Sequence, residues 1–211
     1  LFQQPIISVV AHPTIPGRVY AICETDVPSC IYVSSDYGQT WHNSIGINKL
    51  VGGGMFFSDS PGQRIYVVSG DWQIYASDDS GENWNESTTG AVHAKSNATR
   101  LVIDPSDANH ILLATLGRGI LVSTDGGQNW QESSNGLGSL FVNTLAIDPN
   151  NPDLIYAGTD GGAYVSFDGG ETWGRINDGL LGATVVYSIV VDKDSNVYAA
   201  TPYGIFKLEH K

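Results

Sequence analysis

The sequence predicts an all-β protein made of five copies of one four-stranded antiparallel unit. Two observations lead to this prediction: an eight-residue phrase recurs four times, and short apolar runs recur in a fixed order around it. The phrase reads Ser-x-Asp-x-Gly-x-(Thr/Asn)-Trp, and its copies lie about 43 to 46 residues apart. A fixed period of this size indicates an array of equal supersecondary units. The phrases end at Trp41, Trp84, Trp130 and Trp173.

Three apolar runs precede each copy of the phrase. In the fourth unit they are residues 145–147, 155–157 and 163–165. The runs are rich in β-branched and aromatic residues, and Gly, Pro, Asn and Asp interrupt them, which is typical of strands. The segment that carries the tryptophan supplies the fourth strand. The three runs also occur a fifth time, without the phrase after them, so the chain holds five units.

Four-stranded antiparallel units of about 44 residues stack radially as the blades of a β-propeller. The sequence therefore predicts a single domain, 1–211, that is a five-bladed β-propeller. The fifth unit ends before its fourth strand, so we expect residues 1–4 to supply that strand, close the ring and remove exposed sheet edges. The alternative is an open part of a larger propeller. The predicted blades span approximately residues 6–48, 50–92, 98–138, 141–182, and 185–209 with 1–4.

The recurring phrase is interpreted as a tight turn. Ser and Asp side chains accept hydrogen bonds from backbone N–H groups in such turns, and Gly adopts a positive φ. A calcium role is the weaker alternative, because one carboxylate per turn is too few for a cation that prefers six to eight oxygens. The predicted structural residues are Ser34, Asp36, Gly38, Trp41, Ser77, Asp79, Gly81, Trp84, Ser123, Asp125, Gly127, Trp130, Ser166, Asp168, Gly170 and Trp173.

The phrase resembles the Asp-box, also called the BNR repeat, and the resemblance covers nearly the whole chain. It is found in sialidases, xyloglucan-cleaving glycoside hydrolases, sortilin-type receptors and photosystem II assembly factors, so the fold does not fix the function. The resemblance implies that ligands meet the face opposite the Asp-boxes, where turns join the second and third strands of each blade.

An aromatic residue beside a carboxylate marks one of these turns. Trp72, next to Asp71, is the only tryptophan outside the phrase, and the pair would suit stacking on a sugar ring with hydrogen bonds to its hydroxyls. The alternative is that Trp72 packs over the central channel. The predicted ligand-binding residues are Trp72, Asp71, Arg118, Asp160, Tyr203, Arg100 and Phe141.

These residues favour recognition of a glycan or a protein partner without catalysis. The alternative is a glycoside hydrolase, or a fragment of one, that uses Asp71 and Asp160 as its two carboxylates, which must lie about 5–10 Å apart. A sialidase is disfavoured, because the chain has five scattered arginines and no Arg-Ile-Pro segment. A purely structural unit in a larger assembly is the third possibility. No cofactor is expected.

Composition and charge disfavour some classes of binding partner. The net charge is −12, with 10 Lys plus Arg, which disfavours nucleic acid and anionic membranes. No run of 18 apolar residues is present, so we expect no membrane insertion. The histidines and cysteines show no metal-site spacing. Cys23 and Cys30 are interpreted as a possible cross-strand disulfide or as two free thiols, and a disulfide would suit an extracellular, cell-surface or periplasmic location.

Overall fold

The described part of the chain consists of β-strands and turns. The computed structural model describes residues 5–23, 31–47, 53–57, 64–69, 73–87, 89–90, 97–178, 180 and 185–208. These residues include no helix long and apolar enough to cross a membrane. The chain divides into two compact units, Leu1–Lys95 and Ser96–Lys211, which we call unit 1 and unit 2.

The described residues of unit 1 form two four-stranded antiparallel sheets, blade 1 and blade 2, whose strands pair in chain order. Apolar side chains of Tyr20, Ile22 and Ile31 from blade 1 pack against Ile65 and Val67 of blade 2, and all five are fully buried. Blade 1 contains β1 (Ile6–Ala11), β2 (Val19–Cys23), β3 (Ile31–Ser34) and β4 (His42–Asn43), and blade 2 contains β5 (Gly53–Phe57), β6 (Ile65–Ser69), β7 (Ile74–Ser77) and β8 (Asn85–Glu86), followed by β9 (Thr89–Gly90).

Unit 2 contains three further sheets, blades 3 to 5. Within unit 2, blades 3 and 4 each contribute four strands that pair in chain order, and the described part of blade 5 contributes three. Blade 3 contains β10 (Asn97–Ile103), β11 (Ile111–Leu116), β12 (Gly119–Ser123) and β13 (Asn129–Glu132); blade 4 contains β14 (Val142–Ile147), β15 (Ile155–Thr159), β16 (Gly162–Ser166) and β17 (Gly174–Arg175); blade 5 contains β18 (Ser188–Val191), β19 (Val197–Thr201) and β20 (Gly204–Leu208).

The core of unit 2 lies between successive blades. Leu112, Ala114 and Ile120 of blade 3 pack on Val142 and Leu145 of blade 4. The next seam repeats this arrangement between blades 4 and 5. The second and third strands are buried over most of their length, which explains their continuous apolar sequences.

A β-bulge recurs in the first strand of blades 1, 3 and 4. The pairing register shifts around Ile7, Thr99 and Asn143, so each of these residues is the extra residue of its strand. In unit 2 the bulged side chain reaches the following blade: Thr99 Oγ1 donates to the Val142 carbonyl at 2.7 Å, and Asn143 Nδ2 donates to the Val186 carbonyl at 3.1 Å. The bulge therefore serves as a polar link between neighbouring sheets.

The all-β class and the antiparallel three- and four-stranded sheets agree with the sequence prediction. The strand proposed to close the ring, residues 1–4, lies outside the described residues. The five-bladed closed ring and its blade boundaries therefore stay predictions.

Candidate functional site

The strands of unit 2 have two chemically different ends, and the Asp-box turns occupy one of them. In the fourth box, Ser166 Oγ donates to Asp168 Oδ1 at 2.7 Å and accepts a bond from the Gly170 N–H at 2.7 Å. The carboxylate also accepts the backbone N–H of Thr172 at 2.9 Å and its hydroxyl at 2.5 Å. Gly170 has φ +94°, and a Cβ there would meet the Leu112 side chain. The turn is therefore stabilised by hydrogen bonds among its own residues.

The bonds from the serine hydroxyl and the backbone N–H recur in the other three Asp-boxes, at Asp36, Asp79 and Asp125. At Asp79 and Asp125 the amide of an asparagine replaces the threonine hydroxyl as the third donor. Hydrogen bonds from the Thr40 hydroxyl and N–H lower the pKa of Asp36 to about 2. Burial opposes the change at Asp79, but its hydrogen bonds from Asn83 still hold the pKa below the usual value. These carboxylates are therefore committed to their own turns.

Each box tryptophan fixes its ring by an indole N–H bond. Trp41, Trp84 and Trp130 donate to the glycine carbonyl of their own box at 2.9–3.1 Å. Trp173 instead donates to the Ser133 carbonyl of blade 3 at 3.0 Å. The indole of the fourth box therefore ties two blades together.

A cavity of about 290 Å³ lies at the Asp-box end of unit 1. The guanidinium of Arg18 lies in its wall and donates to the Ser80 carbonyl at 2.6 Å and to Glu82 Oε1 at 2.7 Å. Burial would raise the pKa of the Glu82 carboxyl, but hydrogen bonds from His42 and Arg18 hold it below its usual value. The cavity is lined by Ile15, Pro16, Arg18, Ser35, Asp79, Ser80 and Glu82. Arg18 and Glu82 pair with each other, and Asp79 accepts hydrogen bonds from its own turn, so we interpret the cavity as a structural contact between the two blades and not as a binding site.

The opposite end of the strands carries the candidate site, which we call the turn end of unit 2. It consists of the turns at 117–118, 160–161 and 202–203 and the segments at 139–141 and 185–187. Backbone bonds connect these pieces: the Gly117 and Gly119 N–H groups donate to the Leu140 carbonyl at 2.9 Å, and the Asp160 N–H donates to the Phe141 carbonyl at 3.1 Å. The structure thus brings Phe141 and Asp160, both predicted as site residues, next to each other.

The two predicted charged turn residues differ in the contacts that they make and in their exposure. Arg118 forms an ion pair with Glu132, with 2.5 Å between Nη2 and Oε1, and its side chain is largely buried. Asp160 is exposed and accepts a hydrogen bond at Oδ1 from Asn143 Nδ2 at 2.9 Å. The carboxylate of Asp160 is therefore more accessible to a ligand than the guanidinium of Arg118, which mainly stabilises its own blade.

Aromatic side chains dominate the rest of the turn end. Phe141 is 52% exposed and Tyr203 is 72% exposed. Sequence reasoning missed two neighbours, Leu140 and Tyr187, which are 45% and 58% exposed. Tyr187 stands where the repeat places the bulged residue of blade 5, because Ile189 pairs with Ala199 as the residues at the same repeat positions pair in blade 4. Aligning the first strands could have revealed it.

Of the remaining predicted residues, some lie in the described part of the chain and others lie outside it. Arg100 is exposed on β10, where it pairs with Ala114. Trp72 and Asp71 lie outside the described residues, so their role stays a prediction. Cys23 is disulfide-bonded; Cys30 also lies outside the described part, and its pairing with Cys23 stays a prediction. No three His, Cys, Asp or Glu side chains within the described ranges converge as a metal site would require.

Two family models match parts of the chain. The model described as Sortilin, neurotensin receptor 3 matches residues 29–119, and the BNR/Asp-box repeat model matches residues 121–132 and 164–173. No curated protein sequence matches the chain.

Solved propeller-type structures are similar in fold. A GH74 enzyme from Niastella koreensis is 21% identical with a TM-score of 0.66, over 95% of this chain and 33% of its own. YCF48 bound to D1 peptide is 18% identical with a TM-score of 0.61, over 96% of this chain and 68% of its own. The extracellular domain of BT4673 from B. thetaiotaomicron is 15% identical with a TM-score of 0.67, over 99% of this chain and 28% of its own.

The chain spans about a third of the length of the GH74 structures that it matches. Identities this low establish likeness of fold and not of activity. The repeat model nevertheless covers the third and fourth boxes, whose hydrogen bonds are described above. The four turns carry the Asp-box motif, and these matches show that the chain is similar to Asp-box (BNR repeat) proteins and to the cited structures in fold.

Proposed function

We propose that the chain is a non-catalytic recognition module that binds a glycan or a protein partner at its turn end. The observation that carries this proposal is the exposure of two predicted site residues, Phe141 and Tyr203, at 52% and 72%. Two other tyrosines of the same unit, Tyr156 and Tyr164, are buried in the core. Exposed aromatics gathered at one end of a fold are typical of a binding surface.

The polar groups beside these rings favour a hydroxyl-rich ligand. Asp160 presents a carboxylate next to Phe141, and Asn143 holds it in place. A sugar ring offers an apolar face for stacking and hydroxyl donors for such a carboxylate. A protein partner would use the same surface through apolar contacts with Leu140 and Tyr187.

The hydrolase alternative rests on Asp71 and Asp160. A glycosidase needs a general acid in apolar surroundings and a second carboxylate across the scissile bond. Asp160 is exposed and held by an amide, and the exposed Glu132 of blade 3 is paired with Arg118. Neither arrangement suits a general acid, so recognition is the stronger proposal.

The setting proposed for this module is extracellular, at the cell surface or in the periplasm. The disulfide at Cys23 supports an oxidising compartment. The fold is also similar to that of the extracellular domain of BT4673. YCF48 was solved with a D1 peptide and the GH74 relatives are enzymes, so this fold supports both protein contact and enzyme activity elsewhere.

A glycan array tests the proposal. Wild-type chain is compared with Tyr203→Ala and Phe141→Ala, and Phe167→Ala serves as the control because Phe167 is an exposed aromatic, 62%, at the Asp-box end. We expect wild type and the control to bind and the two turn-end variants to lose at least about tenfold in affinity. Binding that survives in both turn-end variants would refute the site.

Two further measurements separate the alternatives. If wild type binds no glycan, affinity capture with wild type and Tyr203→Ala identifies a protein partner by its loss in the variant. Hydrolysis of a chromogenic glycoside, abolished in Asp160→Asn, would instead establish the hydrolase. Trp72→Ala in both assays tests the remaining aromatic residue that the sequence predicts.

A further inference from the structure

A single side-chain amide, that of Asn143, connects two parts of the turn end of unit 2. Asn143 is the bulged residue of β14, and its Nδ2 donates to Asp160 Oδ1 at 2.9 Å and to the Val186 carbonyl at 3.1 Å. The Asp160 carboxylate and the segment that continues into Tyr187 therefore contact the same nitrogen. Phe141 adjoins this group as well, because its carbonyl accepts the Asp160 N–H at 3.1 Å. All five residues belong to unit 2.

The hydrogen-bond donors of this group are already used inside the fold. An asparagine amide has two N–H donors, and the two acceptors of Asn143 Nδ2 take both of them. Backbone N–H groups also donate to acceptors within unit 2, namely those of Phe141, Asp160, Gly161, Val186 and Tyr187. Apart from the Tyr187 hydroxyl, which can donate or accept, the group offers acceptors to a ligand.

The Asp160 carboxylate is the strongest acceptor of the group. It is exposed, and a carboxylate can accept about four hydrogen bonds. The described residues supply its side chain with one hydrogen bond, from Asn143, and with no ion pair. Arg175 lies near this turn, but its Nη2 donates to the Gly161 carbonyl at 3.2 Å and not to the carboxylate. A cationic donor is the favoured ligand group, because charge-assisted hydrogen bonds are stronger than neutral ones.

The aromatic residues of the group add a second requirement. Phe141 and Tyr187 are 52% and 58% exposed, and the face of an aromatic ring attracts cations. A sugar ring with an amino substituent meets both requirements. Its apolar face can stack on an exposed aromatic side chain, and its ammonium, which has three donors and no acceptor, suits the Asp160 carboxylate.

We propose that the turn end of unit 2 binds a glycan that carries a free amino group. The ammonium contacts Asp160, and the sugar ring packs against Phe141 and Tyr187. This inference rests on the proposed function and narrows its glycan alternative to one class. Asn143 acts as a positioning residue, because it holds the carboxylate. The net charge of −12 also favours the approach of a cationic ligand.

Isothermal titration calorimetry with a matched pair of oligosaccharides tests this preference. A glucosamine tetrasaccharide and its fully N-acetylated counterpart share one backbone, and acetylation removes the positive charges. At mildly acidic pH we expect the amino form to bind at least about tenfold more tightly. Asp160→Asn should abolish the preference, whereas Asp107→Asn should retain it. Asp107 is the matched control, because it is exposed, accepts one hydrogen bond from the Asn109 N–H at 2.9 Å, and its substitution changes the net charge equally.

Two further variants test the aromatic and positioning roles. Tyr187→Ala should weaken binding of the amino form by about tenfold, whereas Phe167→Ala, at the Asp-box end, should not change it. Asn143→Ala should reduce the ratio of the two affinities. A merely structural role would lower both affinities together and leave their ratio unchanged. Circular dichroism checks that each variant is folded.

Several results would overturn the inference. Equal affinity for the two oligosaccharides, or a preference that Asp160→Asn retains, would exclude recognition of the amino group at this site. Tetralysine that binds equally tightly, with the same dependence on Asp160, would replace the glycan by a basic protein partner. If neither oligosaccharide binds, this inference fails, whereas the proposed function is decided separately by the glycan array and by affinity capture.

Discussion

The two ends of the strands in unit 2 follow opposite rules. At the Asp-box end, Asp125 and Asp168 each accept a hydrogen bond from the box serine and one from a backbone N–H of their own turn. At the turn end, the corresponding turns carry Arg118, Asp160 and Tyr203, and the three have different partners and different exposure. Uniform chemistry at one end maintains the repeat, and this leaves the other end free to vary. We therefore expect mutations at the first end to change stability and mutations at the second to change binding.

The largest contrast is between two aromatic residues of one Asp-box. Trp173 is 5% exposed and donates to the Ser133 carbonyl, whereas Phe167 is 62% exposed. Trp173→Ala should lower the free energy of unfolding by about 3–5 kcal/mol, because it leaves a cavity and an unpaired carbonyl. Phe167→Ala should change it by less than about 0.5 kcal/mol. Urea titration of both variants measures this, and equal effects would show that the box tryptophan does not fix the seam.

A smaller contrast separates two aspartates of blade 4. Asp168→Ala removes the acceptor for the Thr172 N–H and the Ser166 hydroxyl, so we expect a loss of about 1–2 kcal/mol in the free energy of unfolding. Asp160→Ala removes one exposed acceptor of Asn143 and should cost about 0.5 kcal/mol or less. Thermal and urea unfolding decide the order, and a larger loss for Asp160→Ala would reverse the roles assigned to the two ends.

The smallest expected effect is a pH dependence specific to the Asp-box end. The folded state lowers the pKa of Asp36 from 3.8 to about 2, and hydrogen bonds also lower the pKa values of Asp79, Asp125 and Asp168. The unfolded state therefore binds more protons in this range, and stability rises with pH. The contribution is fully present above about pH 4 and is lost as the pH falls toward 2. Asp36→Asn should flatten the dependence of unfolding free energy on pH between 4 and 2, and an unchanged slope would exclude that carboxylate as a source.

Much of the fold could be predicted because repetition averages out local ambiguity. A single run such as residues 155–157 is too short to distinguish a strand from a buried helix segment, but five copies in the same order remove that doubt. The Asp-box turns were equally predictable, since the hydrogen bonds of their Ser and Asp side chains join residues at most four positions apart. The bulges were not foreseen, because the extra residue is visible only when two strands are placed side by side.

The site was harder to predict because it depends on contacts between blades. The exposure of Phe141 and Tyr203 followed from their positions at turns, whereas the ion pair of Arg118 with Glu132 requires the pairing of β12 with β13. Tyr187 was missed for a similar reason: it lies just before β18, and only the pairing of the strands makes it the counterpart of Asn143. Residues whose neighbours come from another strand carry little signal in a single sequence.

The recurring bulge has a consequence for how such a surface changes over time. A bulged residue leaves the alternation of its strand, so its side chain is released from the packing that constrains the residues on either side. Thr99, Asn143 and Tyr187 differ widely in size at this one position, yet each adjoins a β-sheet with a buried core. A library built on these three residues would diversify the surface without touching the buried core, but at Thr99 and Asn143 it would also remove a hydrogen bond to the following blade.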